Sequence, residues 1–108
     1  MIQARIYKAK TGSIYGFSIE SHGNDIVCAA VSILAQNTIN SIERFTEDHF
    51  VCEYVESGGY MHFEHTSLKN GQAAHDASLL LESMAYGLYG IKDEYNTEIK
   101  ITEEVEHD

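Results

Sequence analysis

The sequence predicts an α+β fold: a two-layer sandwich with a mainly antiparallel sheet and two helices on one of its faces. Three observations predict it. Short runs alternate apolar and polar residues and are joined in pairs by turn motifs, the pattern of hairpins. Two longer stretches repeat apolar residues at spacings of three and four, the pattern of amphipathic helices. The 108 residues, 44% of them hydrophobic, suffice for one core and one domain. Hairpins imply antiparallel pairing, and two amphipathic helices cover one sheet face. The expected order is β-β-α-β-β-α-β.

Ile2 to Lys8 alternates, with Ile2, Ala4 and Ile6 on one face and Gln3, Arg5 and Tyr7 on the other. Thr11-Gly12-Ser13 is a turn, and Ile14 to Glu20 resumes the alternation with Tyr15, Phe17 and Ile19 sharing a face. After the loop Ser21-His22-Gly23-Asn24, Asp25 is a residue of N-cap type ahead of a helix from about Asp25 to Phe45. Val27, Val31, Leu34, Thr38, Ile42 and Phe45 form its apolar stripe, widened by Ile26, Ala30 and Ile33. Phe50 to Glu56 and Tyr60 to His65 are strands joined by the tight turn Ser57-Gly58-Gly59. Leu68 to Gly71 is a loop. A second helix runs from about Gln72 to Tyr95, with Ala77, Leu80, Leu81, Met84, Leu88, Ile91 and Tyr95 on one face, and with Gly87 and Gly90 placed for close packing against the sheet. Ile99 and Ile101 mark a last short strand, and Glu103–Asp108 is an acidic, frayed tail of the single domain 1–108. The other sheet face carries Arg5, Tyr7, Glu53 and His62. A second copy of the chain would cover it if enough of it is apolar, which makes a homodimer the expected state.

Charge narrows the partners. Seventeen Asp and Glu against seven Lys and Arg leave a formal net charge of −10. Such a surface has no drive toward nucleic acid or anionic membrane and favours a basic protein or peptide, although net charge also serves solubility alone. No apolar run approaches the length of a membrane span, and the N-terminus lacks the apolar core of a signal peptide. Two cysteines do not make a disulfide scaffold, so a reducing cytoplasm is the expected compartment.

One cysteine stands where chemistry is available. Cys28 falls in the first turn of the long helix, behind His22. Helix starts present free N–H groups and partial positive charge, which favour a thiolate. A nearby imidazole would serve as base, and the free N–H groups could receive an oxyanion. The competing reading is a buried structural thiol in the apolar run Ile26-Val27-Cys28-Ala29-Ala30-Val31, with His22 a plain loop residue. Cys52 reads as a small core hydrophobe, and His75 as solvent-facing. His62 and His65, three apart on a strand, point to opposite faces and complete no zinc spacing, so no metal and no cofactor is expected.

With His22 ahead of it, the stretch Asp25-Ile26-Val27-Cys28-Ala29-Ala30-Val31-Ser32 resembles the signature of the Prp family, the ribosomal-processing cysteine proteases. The resemblance continues through Asn40-Ser41-Ile42-Glu43, Gly58-Gly59-Tyr60 and the Glu94-Tyr95 helix end, nearly the whole chain. It implies Cys28 as nucleophile and His22 as general base and acid. It implies removal of the N-terminal extension of ribosomal protein L twenty-seven, a basic ribosomal protein, during ribosome assembly. Asp25 matches the family's Asp, as helix N-cap or as orienter of the histidine. Ser32, at i+4 from Cys28, either lines the site or simply lets the helix pack. Ser21 replaces the family's Gly, and only five residues separate His22 from Cys28, fewer than is typical. The other functions left open are a non-catalytic acidic binding module for basic ribosomal proteins and an unrelated thiol hydrolase.

Overall fold

A computed structural model describes residues 1–20, 23–55 and 59–106. It has the expected architecture, an α+β sandwich, with one further short helix. The strands are β1 (Ile2–Lys8), β2 (Ile14–Glu20), β3 (Phe50–Val55), β4 (Tyr60–His65) and β5 (Ile99–Val105). The helices are α1 (Asp25–Phe45), α2 (Thr66–Lys69) and α3 (His75–Glu94). The five strands form one mixed sheet in the order β3-β4-β2-β1-β5. β1–β2, β2–β4 and β3–β4 pair antiparallel, and β5 lies parallel to β1.

Alternation decides which strand residues meet the helices. Ile2, Ala4, Ile6, Phe17, Ile19 and Phe63 are buried in one core with Val27, Val31, Ala35, Ile39 and Ile42 of α1 and Ala77, Leu81, Met84 and Leu88 of α3. A register shift between Tyr7 and Lys8 removes Tyr15 from the expected Phe17–Ile19 row, and its ring stacks on Tyr7 at 6.0 Å. The stripe of α1 is narrower than its composition implies. Ile26, Ile33 and Phe45 are exposed, and Ala35 and Ile39 are buried instead, because the contact surface follows the i, i+4 row through Val27, Val31, Ala35, Ile39 and Ile42. By length and composition alone α1 is apolar enough to cross a bilayer, contrary to the sequence reading, yet its inner row is core.

Four further expectations change. The segment read as a loop at Leu68 to Gly71 begins as α2, because the His65 ring caps it: Nδ1 accepts from the Leu68 N–H at 3.2 Å. α3 starts at His75 rather than Gln72, because the Gln72 N–H is tied back to the Ser67 carbonyl at 2.9 Å. Gly87 serves packing between helices, not against the sheet: a Cβ there would meet Leu34 Cδ2 of α1 at 2.8 Å, whereas one on Gly90 would meet nothing. Residues 103–105 of the acidic tail are strand, pairing with Ile6, Tyr7 and Lys8. Their carboxylates meet cations of β1, Lys8 Nζ lying 3.4 Å from Glu103 and Arg5 Nε 3.9 Å from Glu104. His107 and Asp108 lie outside the described residues, as do Glu56 at the end of the predicted strand and Ser57 and Gly58 of the predicted turn.

Candidate active site

The candidate nucleophile is placed by the start of α1. Asn24, not Asp25, is the N-cap. Its Oδ1 accepts from the Ile26 N–H at 2.8 Å and the Val27 N–H at 3.4 Å. Asp25 is the first helical residue, favourably placed as an acid in the first turn. The Asn24 N–H is itself anchored by Glu98 Oε2 at 3.4 Å, from the loop before β5. Asn and Asp are equally good caps, so their order alone did not distinguish them, and Glu98 is 74 residues away in sequence.

Cys28 is therefore the fourth helical residue. It is half-buried and packs against the core. Its N–H donates to the Asn24 carbonyl at 2.9 Å, the first intrahelical bond. This corrects the expected oxyanion site. The N–H groups of Ile26, Val27 and Cys28 are all engaged by Asn24, because the cap satisfies the donors that a helix start otherwise leaves open. What remains at the thiol is the partial positive charge of the helix start. His22 and Ser21 lie outside the described residues.

Ser32 is exposed one turn further along, about 6 Å down the axis. There it borders a pocket of about 110 Å³ between α1 and the β3–β4 hairpin, lined by Ile19, Ala35, Tyr54, Val55, Tyr60 and Met61. The volume is that of one apolar side chain. Acidic residues stand around it. Burial pushes the Tyr54 phenol up, with Cys52 and Glu43 adding to it, and burial does the same at Tyr60, helped by Tyr7, Glu53 and Glu20.

The other thiol has a different setting. Cys52 is half-buried against the core, as expected, and burial pushes its thiol up, Glu53 adding to this against a hydrogen bond with Tyr54. His65 is wholly buried, with Nε2 2.8 Å from Asp48 Oδ2. His62 lies on the opposite sheet face, between Tyr7 and Tyr60, so the two histidines diverge as their spacing requires. His75 is exposed. Among the described residues, no three His, Cys, Asp or Glu side chains gather as metal ligands.

Cys28 is thus a half-buried thiol at a capped helix start, one turn before Ser32 at the edge of a pocket of side-chain size. A thiol hydrolase is the class of protein that would use such a thiol. The chain belongs to the cysteine protease Prp family, whose model matches residues 1–100. It is 29% identical over 108 residues to the ribosomal processing cysteine protease Prp of Bacillus subtilis (strain 168), covering 94% of this chain and 96% of that one. The enzyme of the same name from Staphylococcus aureus (strain Mu50) is 31% identical over 80 residues, 74% of this chain and 72% of that one. The fold matches the crystal structure of the essential ribosomal processing protease Prp from S. aureus in complex with a covalently linked product peptide. That match has a TM-score of 0.85 and 28% identity, and covers 96% of this chain and 100% of that one.

Proposed function

We propose that this member of the family is a cytoplasmic endopeptidase that removes the N-terminal extension of ribosomal protein L twenty-seven during ribosome assembly, with Cys28 as nucleophile and His22 as general base and acid. The observation that carries the reading is Cys28, half-buried at the start of α1, one helical turn before Ser32, which borders a pocket sized for one substrate side chain. The bound product peptide of the S. aureus relative supports it. So does the setting of Cys52, whose thiol is pushed up by burial, which disfavours the thiolate a nucleophile needs.

In this mechanism His22 takes the Cys28 proton, and the thiolate attacks the scissile carbonyl carbon. The tetrahedral intermediate collapses as His22 protonates the leaving amine, and the new N-terminus departs. Water, deprotonated by His22, then hydrolyses the thioester and returns the thiol. The oxyanion takes its donors from groups other than the N–H groups of Ile26, Val27 and Cys28, which the cap occupies. Asp25 acts at the helix start, and Ser32 lines the approach to the pocket.

The test is a peptide spanning the N-terminal junction of the substrate. The purified protein cleaves it once, and Cys28→Ala loses at least about 10³-fold of the rate. Equal cleavage by the variant removes Cys28 from the chemistry. Salt-sensitive binding with no cleavage by either protein points instead to an acidic binding module. Cleavage of small thioesters but not of the peptide points to another thiol hydrolase. The resemblance to the family supports a homodimer, although the open sheet face carries paired charges rather than an apolar surface, and a light-scattering mass of one chain would overturn that part.

A further inference from the structure

A ridge of side chains descends α1 from the thiol: Cys28, Ser32, Gln36 and Asn40 recur every four residues and so neighbour one another along the helix surface. The ridge overlooks β3, an outer strand of the sheet. Gln36 bridges the two. Its Nε2 donates to Tyr54 Oη at 3.1 Å and to Asn40 Oδ1 at 3.3 Å. Tyr54 is one wall of the pocket that Ser32 borders, one turn from Cys28. The residue is 50% exposed on an edge strand, so packing alone does not hold its ring. Its hydroxyl is held from the helix by Gln36.

We propose that Gln36 is a positioning residue for peptide recognition: its carboxamide fixes the Tyr54 ring as the outer wall of the pocket and so sets which substrate side chain that pocket accepts. The inference rests on the protease reading, in that it takes the pocket to hold a side chain of the bound peptide. Gln36 is two turns, about 12 Å, from Cys28 and touches no reacting atom. Losing it widens the pocket and costs discrimination, a KM effect, while the thiol keeps its surroundings. Gln36→Glu retains the tie with donor and acceptor exchanged, since the Tyr54 hydroxyl then donates to the carboxylate. Gln36→Ala and Tyr54→Phe both break it.

Binding is read first, by fluorescence anisotropy of a labelled junction peptide, replaced by Ala at each position in turn, on Cys28→Ala protein. One position is expected to lose much affinity on replacement. Added Gln36→Ala or Tyr54→Phe flattens that loss by about three- to tenfold, the worth of one hydrogen bond. Added Gln36→Glu preserves it. With Cys28 intact, Gln36→Ala raises KM by a similar factor and changes kcat less than about twofold. An unchanged Ala profile in both Gln36→Ala and Tyr54→Phe overturns the proposal. So does a loss confined to kcat, or failure of the Cys28→Ala protein to bind the peptide. A peptide that is bound but never cleaved by the intact protein refutes the protease reading instead, and the Ala profile still decides the role of Gln36.

Discussion

At the scale of single residues, the start of α1 depends on Asn24. Its side chain accepts two of the N–H groups that the helix start would leave open, while its carbonyl accepts the N–H of Cys28. Asn24→Ala is expected to lower stability by about 1 kcal/mol in urea unfolding, the usual worth of a cap, and Asp25→Ala by less, since Asp25 contributes only charge at the first turn. Equal losses would return the cap to Asp25. The sequence pointed to a cap in this neighbourhood without separating two adjacent residues of the same capping strength. Cys28 was legible for a different reason, being one thiol placed at a helix start by a periodicity that runs on for 21 residues. Glu98, which holds the cap, was not legible, because no local pattern connects a loop before the last strand to a helix 74 residues earlier. Gln36 was equally hidden: its spacing from Cys28 is visible, but its bond to Tyr54 depends on β3 lying alongside α1.

Elements with strong local periodicity came through intact, and those made by tertiary contacts did not. β1, β2, α1 and β4 have the bounds that their patterns imply. α2 has four residues, too few to show a period, and exists because the buried ring of His65 caps it. β5 looked like a short strand with a solvated tail because Glu103 and Glu104 are acidic; Lys8 and Arg5 on the neighbouring strand hold them in the sheet. α2 is in turn clipped to β4. Lys69 Nζ lies 2.9 Å from Glu64 Oε2 and 5.9 Å above the Tyr15 ring. Burial alone would raise the Glu64 carboxyl, but the hydrogen bonds and charges of Lys69 and His62 outweigh it and hold it below the ordinary carboxylate value. The folded state thus binds this proton less readily than the unfolded chain. The stabilisation is fully present above the unfolded carboxylate range, near pH 4, and is lost as pH falls through the depressed folded value. Glu64→Gln should therefore be less stable than the native protein at pH 7, with the gap closing on acidification. A gap that stays constant from pH 7 to pH 3 would show that the clip contributes no linked stability.

For the whole molecule, the net charge of −10 now has a location. Some of it is spent inside the fold, on the pairs of Arg5 with Glu20, Lys8 with Glu103 and Lys69 with Glu64. Cations are few enough that many carboxylates remain in excess, and Glu43, Glu53 and Glu20 act on the tyrosines that line the pocket beside Ser32. A basic peptide approaching that pocket meets an attractive field, whereas an acidic one is repelled. The effect belongs to encounter more than to chemistry, so it should appear in kcat/KM and leave kcat alone. Raising salt from about 0.02 M to 0.5 M shortens the screening length several-fold. For a basic junction peptide, kcat/KM should then fall by roughly tenfold. A peptide with its lysines and arginines outside the pocket position changed to glutamine should start lower and respond weakly. Glu43→Gln combined with Glu53→Gln should reproduce that weak response with the native peptide, because it removes two carboxylates that act on Tyr54, Cys52 and Tyr60. If the basic peptide is cleaved equally well at both salt concentrations, the acidic surface serves solubility alone, and recognition rests on the apolar pocket.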